Sequence, residues 1–275
     1  MTKLLVLSLV CFASFGQTHL TAISFNIRYA TPNDGINQWE NRKDKVVELL
    51  NFYEPDVFGM QEALKHQIDY VHGGLSDYKW VGVGRDDGKE KGEYAPLFYN
   101  ASKFSLLENG TFWLAENTSV PGKSWDAALP RIATYARLKM VNGKTVFVLN
   151  THYDHRGELA RKNSSKVILN KLKELVHVNE PVVFMGDFNA VPTEEPIKVF
   201  LDEKWNHYRL SSTEKHLGPI GTFSGFESKE GDKEIDHIFY NDHLKLYKSA
   251  TLSPTWGGLF ASDHHAILAD FIILE

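Results

Sequence analysis

The 275-residue chain has a single cysteine, Cys11, and it sits in the first sixteen residues. Residues 17–275 therefore have no disulfide framework and no thiolate metal site. A basic excess is missing too: 30 Lys and Arg stand against 35 Asp and Glu, a formal charge of −5. That balance offers no face for tight nonspecific nucleic-acid binding, although an enzyme that touches nucleic acid briefly remains compatible with it. Beyond the N-terminal stretch no apolar run is long enough to span a bilayer. Internal repeats and low-complexity linkers are also lacking. What is present is a globular mixture, 43% hydrophobic and 24% charged, on a chain long enough to bury one large core.

The N-terminus reads differently from the rest. Met1-Thr2-Lys3 is a short positive head, and Leu4 to Phe15 is apolar but too short to cross a membrane. Ser14 and Gly16 put small residues at −3 and −1 of a cut before Gln17. Val10 stands before Cys11 where a lipoprotein requires a small residue. Residues 1–16 are expected to be a signal peptide and 17–275 one domain, in a secreted or periplasmic protein.

Along that domain, strands are expected from Leu20 to near Asn26, over "VFGMQEA" from Val57, and over "YKWVGVG" from Tyr78. "YAPLFYN" and "FSLLENGTFWL" read as further strands. Amphipathic helices are expected over Trp39–Phe52, through Tyr70 and over Arg161–Val178. Asn142-Gly143 between two β-rich runs predicts a hairpin across Arg131–His152. Val182–Met185 is an unbroken apolar run, the pattern of a strand covered on both faces. A short helix follows, with Thr193 as its cap and Pro196 in its first turn. "GTFSGF", "IDHIFYN", "LKLYKSATLS" and "HAILADFIIL" close the chain as strands. Strands and helices mix without a strict βαβ repeat, which predicts an α/β fold of two packed sheets with helices outside.

Several apolar strands end in a polar group that a structural strand does not require. Asn26 follows "ISF", Glu62 follows "VFGMQ", and His152 follows "VFVLNT". Asp187 and Asn189 follow "VVFM", Asp236 opens "DHIF", and Asp263-His264 precede "HAILADF". Any one of these is ordinarily a satisfied loop group. Their number points to a site. Carboxylates, carboxamides and imidazoles without cysteine suit a hard divalent cation, Mg²⁺ or Mn²⁺, which takes one or two carboxylates and fills its other positions from a phosphate.

In order, "SFNIR", "GMQE", "GEYAPLFY", "NTHYDH", "GDFNA", "IDHIF" and "SDHHA" resemble the endonuclease/exonuclease/phosphatase superfamily, with its DNase I-like fold. "DGINQWENRK" and "WDAALPRIATYARL" look most like a secreted bacterial branch. The resemblance implies a four-layered α/β sandwich of mainly antiparallel sheets flanked by helices. It implies a phosphoester hydrolase in which a water attacks phosphorus in line. Glu62 matches the metal-binding glutamate, with Asn26 and Asp263 near the metal. Asp187 matches the acceptor of the water's proton, and Asn189 the amide that holds the water or a phosphoryl oxygen. His264 and His152 match phosphate-facing imidazoles, partnered by Asp236 and Glu93. Asp187 is then expected to be ionised and both imidazoles protonated, since a paired carboxylate favours imidazolium.

Other residues read more plainly. Asp154 and His155 line a pocket or a solvated loop with equal warrant. Trp125, Asp126 and Arg131 read as a packed loop held by an ion pair rather than a second phosphate grip. Trp39 and Arg42 read as a helix start packed on the core, His265 as structural, and "KEKGE" as a solvated run. No convincing aromatic hairpin for a membrane surface is seen, and a monomer is expected. The resemblance implies a phosphoester substrate, with nucleic acid and small phosphodiesters or phosphomonoesters in competition. The contrasting possibility is a phosphate- or nucleic-acid-binding module that kept the fold and lost the chemistry; the complete residue set speaks against it. Exported protein is expected to begin near Gln17 by mass spectrometry, and an intact Met1 in the cytoplasmic fraction would contradict export.

Overall fold

Residues 17–213, 215–227, 231 and 233–274 are described by a computed structural model. The expected signal peptide lies outside the described residues. In chain order the strands are β1 (His19–Asn26), β2 (Val57–Gln61), β3 (Tyr78–Val81), β4 (Leu97–Asn100), β5 (Phe104–Trp113), β6 (Ile132–Met140) and β7 (Thr145–His152). They continue as β8 (Val182–Asp187), β9 (Arg209–Leu210), β10 (His216–Leu217), β11 (Asp236–Tyr240), β12 (Leu244–Leu252) and β13 (Ala266–Ile273). The helices are α1 (Lys43–Tyr53), α2 (Lys65–Gly73), α3 (Glu158–Leu175) and α4 (Glu195–Leu201).

Two sheets result, one in the order β10-β12-β13-β1-β2-β4-β3 and one in the order β5-β6-β7-β8-β11-β9. Strand alternation explains how they stack. Ala22, Val57, Val148, Val183, Met185 and Ile238 face each other between the sheets. Their neighbours Ile23 and Phe58 pack beneath α1 and α2 with Leu50 and Ile68. Phe147 and Phe184 pack beneath α3 and α4 with Ile168 and Phe200. The order of layers is helix, sheet, sheet, helix. β8 is an unbroken apolar run because both its faces are covered.

The inter-sheet core contains one polar pin. Asn150 on β7 donates to the carbonyls of Met60 at 2.7 Å and Pro96 at 2.9 Å in the opposite sheet. Its Oδ1 accepts from Gln61 Nε2 at 2.6 Å, and Gln61 Nε2 also donates to Ser24 Oγ at 3.1 Å. Gly59 faces this carboxamide, and a Cβ there would come within 2.4 Å of it. These buried directional bonds, which leave Gln61 Oε1 without a partner among the described residues, fix how one sheet sits on the other.

Local differences from the sequence reading have physical causes. "GTFSGF" is no strand: only Phe223 bridges to His264, and Gly225 takes a left-handed φ of 62° that ends any ladder. "YKWVGVG" pairs only as far as Val81, since Gly82 turns to a φ of 140°. The N-cap position of α4 is Glu194 rather than Thr193, and Glu194 caps no helical N–H but turns its carboxylate back to the N–H of Val191. α3 begins at Glu158 because Asp126 accepts the N–H groups of Leu159 and Ala160. Trp39–Asn41 is a 3₁₀ turn ahead of α1, with Trp39 and Arg42 buried as read. Arg42 donates to the carbonyls of Asn37, Ile27 and Arg28.

Asn150→Ala is expected to lower stability by about 2 kcal/mol or more, through the lost buried hydrogen bonds and the void. A melting temperature unchanged from wild type would show that the pin does not hold the sheets.

Candidate active site

Extending the inward-facing rows to the strand ends builds the site. Ala22 and Ser24 lead two by two to Asn26; Val148 and Asn150 lead to His152; Val183 and Met185 lead to Asp187; Ile238 leads back to Asp236. Register then brings them level: His152 lies opposite Asp187 across the parallel β7–β8 pair, and Asp236 opposite Asp187 across the antiparallel β8–β11 pair. The core thus continues into a polar cleft at one end of the sandwich. The close approach of β7 and β8 requires Gly186, where a Cβ would come within 2.1 Å of the Thr151 carbonyl. At the rim Arg28, Glu62 and Asn189 hold positive φ of 57°, 59° and 47°. Such left-handed backbone is costly for residues with a Cβ and gathers at functional sites.

Contacts across the sheets hold the cluster together. Asn26, fully buried, donates from Nδ2 to Asp187 Oδ2 at 3.0 Å and to Glu62 Oε1 at 3.2 Å. Its Oδ1 accepts the Arg28 N–H at 3.0 Å. Glu62 Oε2 accepts the Tyr29 N–H at 3.2 Å and lies 3.7 Å from Arg28 Nη1. Asp263 Oδ2 lies 3.8 Å from Arg28 Nε. His264 Nδ1 sits 2.8 Å from Asp236 Oδ2, which also accepts Thr222 Oγ1 at 2.6 Å. Asn189 donates its N–H to Asp187 Oδ1 at 2.9 Å, and its Nδ2 lies 3.3 Å from His152 Nε2.

Charge in this cluster is strongly shifted. Burial, then the neighbouring charge of Asp236, pushes Asp187 up to about 7. Burial likewise raises Asp263, and raises Glu93 against the pull of Arg85. For His264, burial disfavours the charge, but Asp236, Asp187 and Asp263 together raise it well above 6.5. His152 goes the other way: burial first, then Arg131 and Arg85, take it well below 6.5.

All nine residues singled out in the sequence, Asn26, Glu62, Glu93, His152, Asp187, Asn189, Asp236, Asp263 and His264, converge here, but three differ from expectation. Burial first, then the charges of Arg131 and Arg85, disfavour the imidazolium expected at His152, and Glu93, bonded to Arg85 at 2.7 and 2.9 Å, lies 3.9 Å from His152 Nδ1. Asp187 is not a fixed carboxylate but titrates near neutrality. Asn26 turns its N–H groups to the carboxylates and its oxygen to Arg28, so it positions the acids rather than presenting an oxygen ligand. Arg131 is not paired with Asp126. It lies 3.6 Å from Asp154 and lines the cleft with His155. Asp154 itself is buried, accepting the N–H groups of Ala128, Leu129, Arg156 and Gly157. Arg28, Tyr29, Phe223 and Lys233 also line it and were not anticipated. The pattern around each carries no strand-end signal.

The cleft encloses about 660 Å³. A larger groove of about 940 Å³ between α1 and α2 contains none of these groups. The donors fit a hard divalent cation. Among the described residues five carboxylates and no thiolate surround one space, and burial drives three of them toward protonation, a crowding that a bound cation relieves. Glu62, facing the cleft beside Asp263, is best placed to hold it. Asp187, Asp236 and His264 also bring ligand atoms within 4.8 Å of one another, but the His264–Asp236 hydrogen bond already engages two of these groups.

The model of the Endonuclease/Exonuclease/phosphatase family matches residues 23–264. An endonuclease/exonuclease/phosphatase from Bacteroides vulgatus is 38% identical, with a TM-score of 0.89 over 94% of this chain and 100% of that one. A mannosyl-6-phosphatase of Bacteroides thetaiotaomicron is 32% identical, with a TM-score of 0.86 over 92% of this chain and 100% of that one. Nocturnin from Rattus norvegicus is 26% identical over 86% of this chain. The chain spans about 60% of that curated relative's length.

The raised Asp187 has a thermodynamic sign. Its folded state binds a proton more tightly than the unfolded chain, so stability falls as pH rises from about 4 through about 7. Asp187→Asn is expected to stabilise the metal-free protein above pH 7, by a few kcal/mol at most, with the gain gone near pH 4. Melts across pH 4–8 check this; a variant less stable than wild type at pH 8 would contradict the assigned shift.

Proposed function

The chain belongs to the endonuclease/exonuclease/phosphatase family, and on that footing we propose that it is an exported, divalent-metal-dependent phosphoester hydrolase acting on small phosphorylated substrates. The observation that carries this reading is the buried unit in which Asn26 joins Asp187 to Glu62 while Asp236 holds a cationic His264 beside them. A Mg²⁺ or Mn²⁺ ion held by Glu62, with Asp263 alongside, supplies positive charge for the phosphoryl oxygens.

The chain's own groups do the rest. The Asp187 carboxylate, held by Asn26 and the Asn189 N–H, takes the proton of the attacking water. His264, kept charged by Asp236, stabilises the negative charge that grows on the departing and peripheral oxygens. Thr222 orients Asp236. Neutral His152, beside Asn189, borders the phosphate without adding charge.

Small substrates are favoured over polymers by the acidic chain, which gives a polyanion little to hold. Resemblance to a sugar-phosphate phosphatase over nearly the whole chain supports the same choice. A module that bound phosphate without reacting would gain nothing from burying Asp187 against Asp236, an arrangement that opposes stability.

EDTA is expected to abolish hydrolysis and Mg²⁺ or Mn²⁺ to restore it. Glu62→Gln is expected to raise the half-saturating metal concentration at least ~10-fold, no less than the loss of an outer-shell partner of a metal ligand. Full turnover in EDTA would reject the mechanism.

A further inference from the structure

Arg131 is a buried cation with unused hydrogen-bonding capacity. It is 4% exposed. Its Nη2 lies 3.1 Å from His155 Nδ1. Among the described residues, Nε and Nη1 have no hydrogen-bond partner. The carboxylate oxygen near Nε, Asp154 Oδ2, stands off at 3.6 Å and already accepts the N–H groups of Ala128 and Leu129. A guanidinium cannot shed its proton to escape such a setting, and empty buried donors are costly. Arg131 carries that cost where it lines the cleft with His152, His155, Asp187 and Asn189. Because Arg131 donates to His155 Nδ1, the ring proton of His155 is left on Nε2, a further donor on the same wall.

Resting on the hydrolase reading above, we propose that Arg131, with His155 beside it, is an anion subsite that holds a peripheral oxygen of the substrate's phosphoryl group and makes the enzyme prefer dianionic phosphomonoesters to monoanionic diesters. The geometry of the donors supports this. Nη1 has no partner among the described residues and can donate to one phosphate oxygen, while His155 Nε2–H beside it can donate to another. The unit around Glu62 and His264 serves two non-bridging oxygens, which is all that a diester has. A monoester brings a third oxygen and a second charge, and the unpartnered Nη1 of a fixed cation lines the cleft beside His155 to receive them.

The test compares p-nitrophenyl phosphate with bis-p-nitrophenyl phosphate in Mg²⁺, using wild type, Arg131→Gln and Arg131→Lys. Calorimetry measures binding of inorganic phosphate to each. Wild type is expected to favour the monoester in kcat/KM. Arg131→Gln is expected to cut monoester kcat/KM by ~10²-fold and the diester by less than ~5-fold, and to weaken phosphate binding at least ~10-fold. Arg131→Lys keeps the charge but loses the planar guanidinium that bonds His155 and the phosphate at once, so it is expected to fall between. If Arg131→Gln does not fold, the same comparison is made with Arg131→Lys. Equal losses on both substrates, unchanged phosphate affinity, or a wild-type preference for the diester would overturn the subsite. Metal-dependent diesterase activity that ignores Arg131 contradicts the subsite alone, whereas hydrolysis of neither ester contradicts the underlying reading.

Discussion

The contact between the two sheets is the constraint on which everything else rests. Asn26 ends a strand of one sheet and His264 lies two residues ahead of β13 in that sheet, Asp187 and Asp236 belong to the other, and the hydrogen bonds joining them are 2.8 and 3.0 Å long. Neither sheet contains a working unit alone. A slide of one sheet over the other by a fraction of a residue would separate the acid from its amide and the imidazole from its carboxylate. The Asn150 pin, with Gln61, Ser24 and the gap left by Gly59, prevents that slide. It works because a directional bond in a dry interior has one geometry, whereas apolar contacts tolerate several.

The same contact creates an electrostatic problem. Ending four inward rows in polar groups places Asp187 and Asp236 together where water is scarce. Part of the conflict is relieved by His264, whose charge the two acids sustain. The remainder appears as the raised Asp187. A carboxylate at that value accepts a proton readily at neutral pH and also weakens the fold, the usual exchange between stability and reactivity. Arg28, spanning Glu62 and Asp263 at 3.7 and 3.8 Å, supplies fixed positive charge on the opposite wall.

Much of this was legible in the sequence because it follows from period-two alternation. A row such as Val183, Met185, Asp187 announces that an inward face ends in an acid, and seven motifs in order announce the family. The layers and the hairpin at Asn142-Gly143 were legible for the same local reasons. What was not legible depends on partners distant in sequence. Nothing near Glu93 says that Arg85 claims it, so His152 was read as charged. Nothing in "WDAALPR" says that Asp126 caps a helix and that Arg131 turns into the cleft. The loop around Phe223 looked β-rich, but its glycines decide its course.

The most direct test of a single inter-sheet unit is a double-mutant cycle on kcat with Asp187→Asn and His264→Ala, each variant checked by a thermal melt. Each single change is expected to lower kcat by at least ~10², and the double variant is expected to lose much less than the product of the two, because both groups serve one transition state. Folded single variants that turn over at near wild-type rates, or losses that multiply fully, would contradict it.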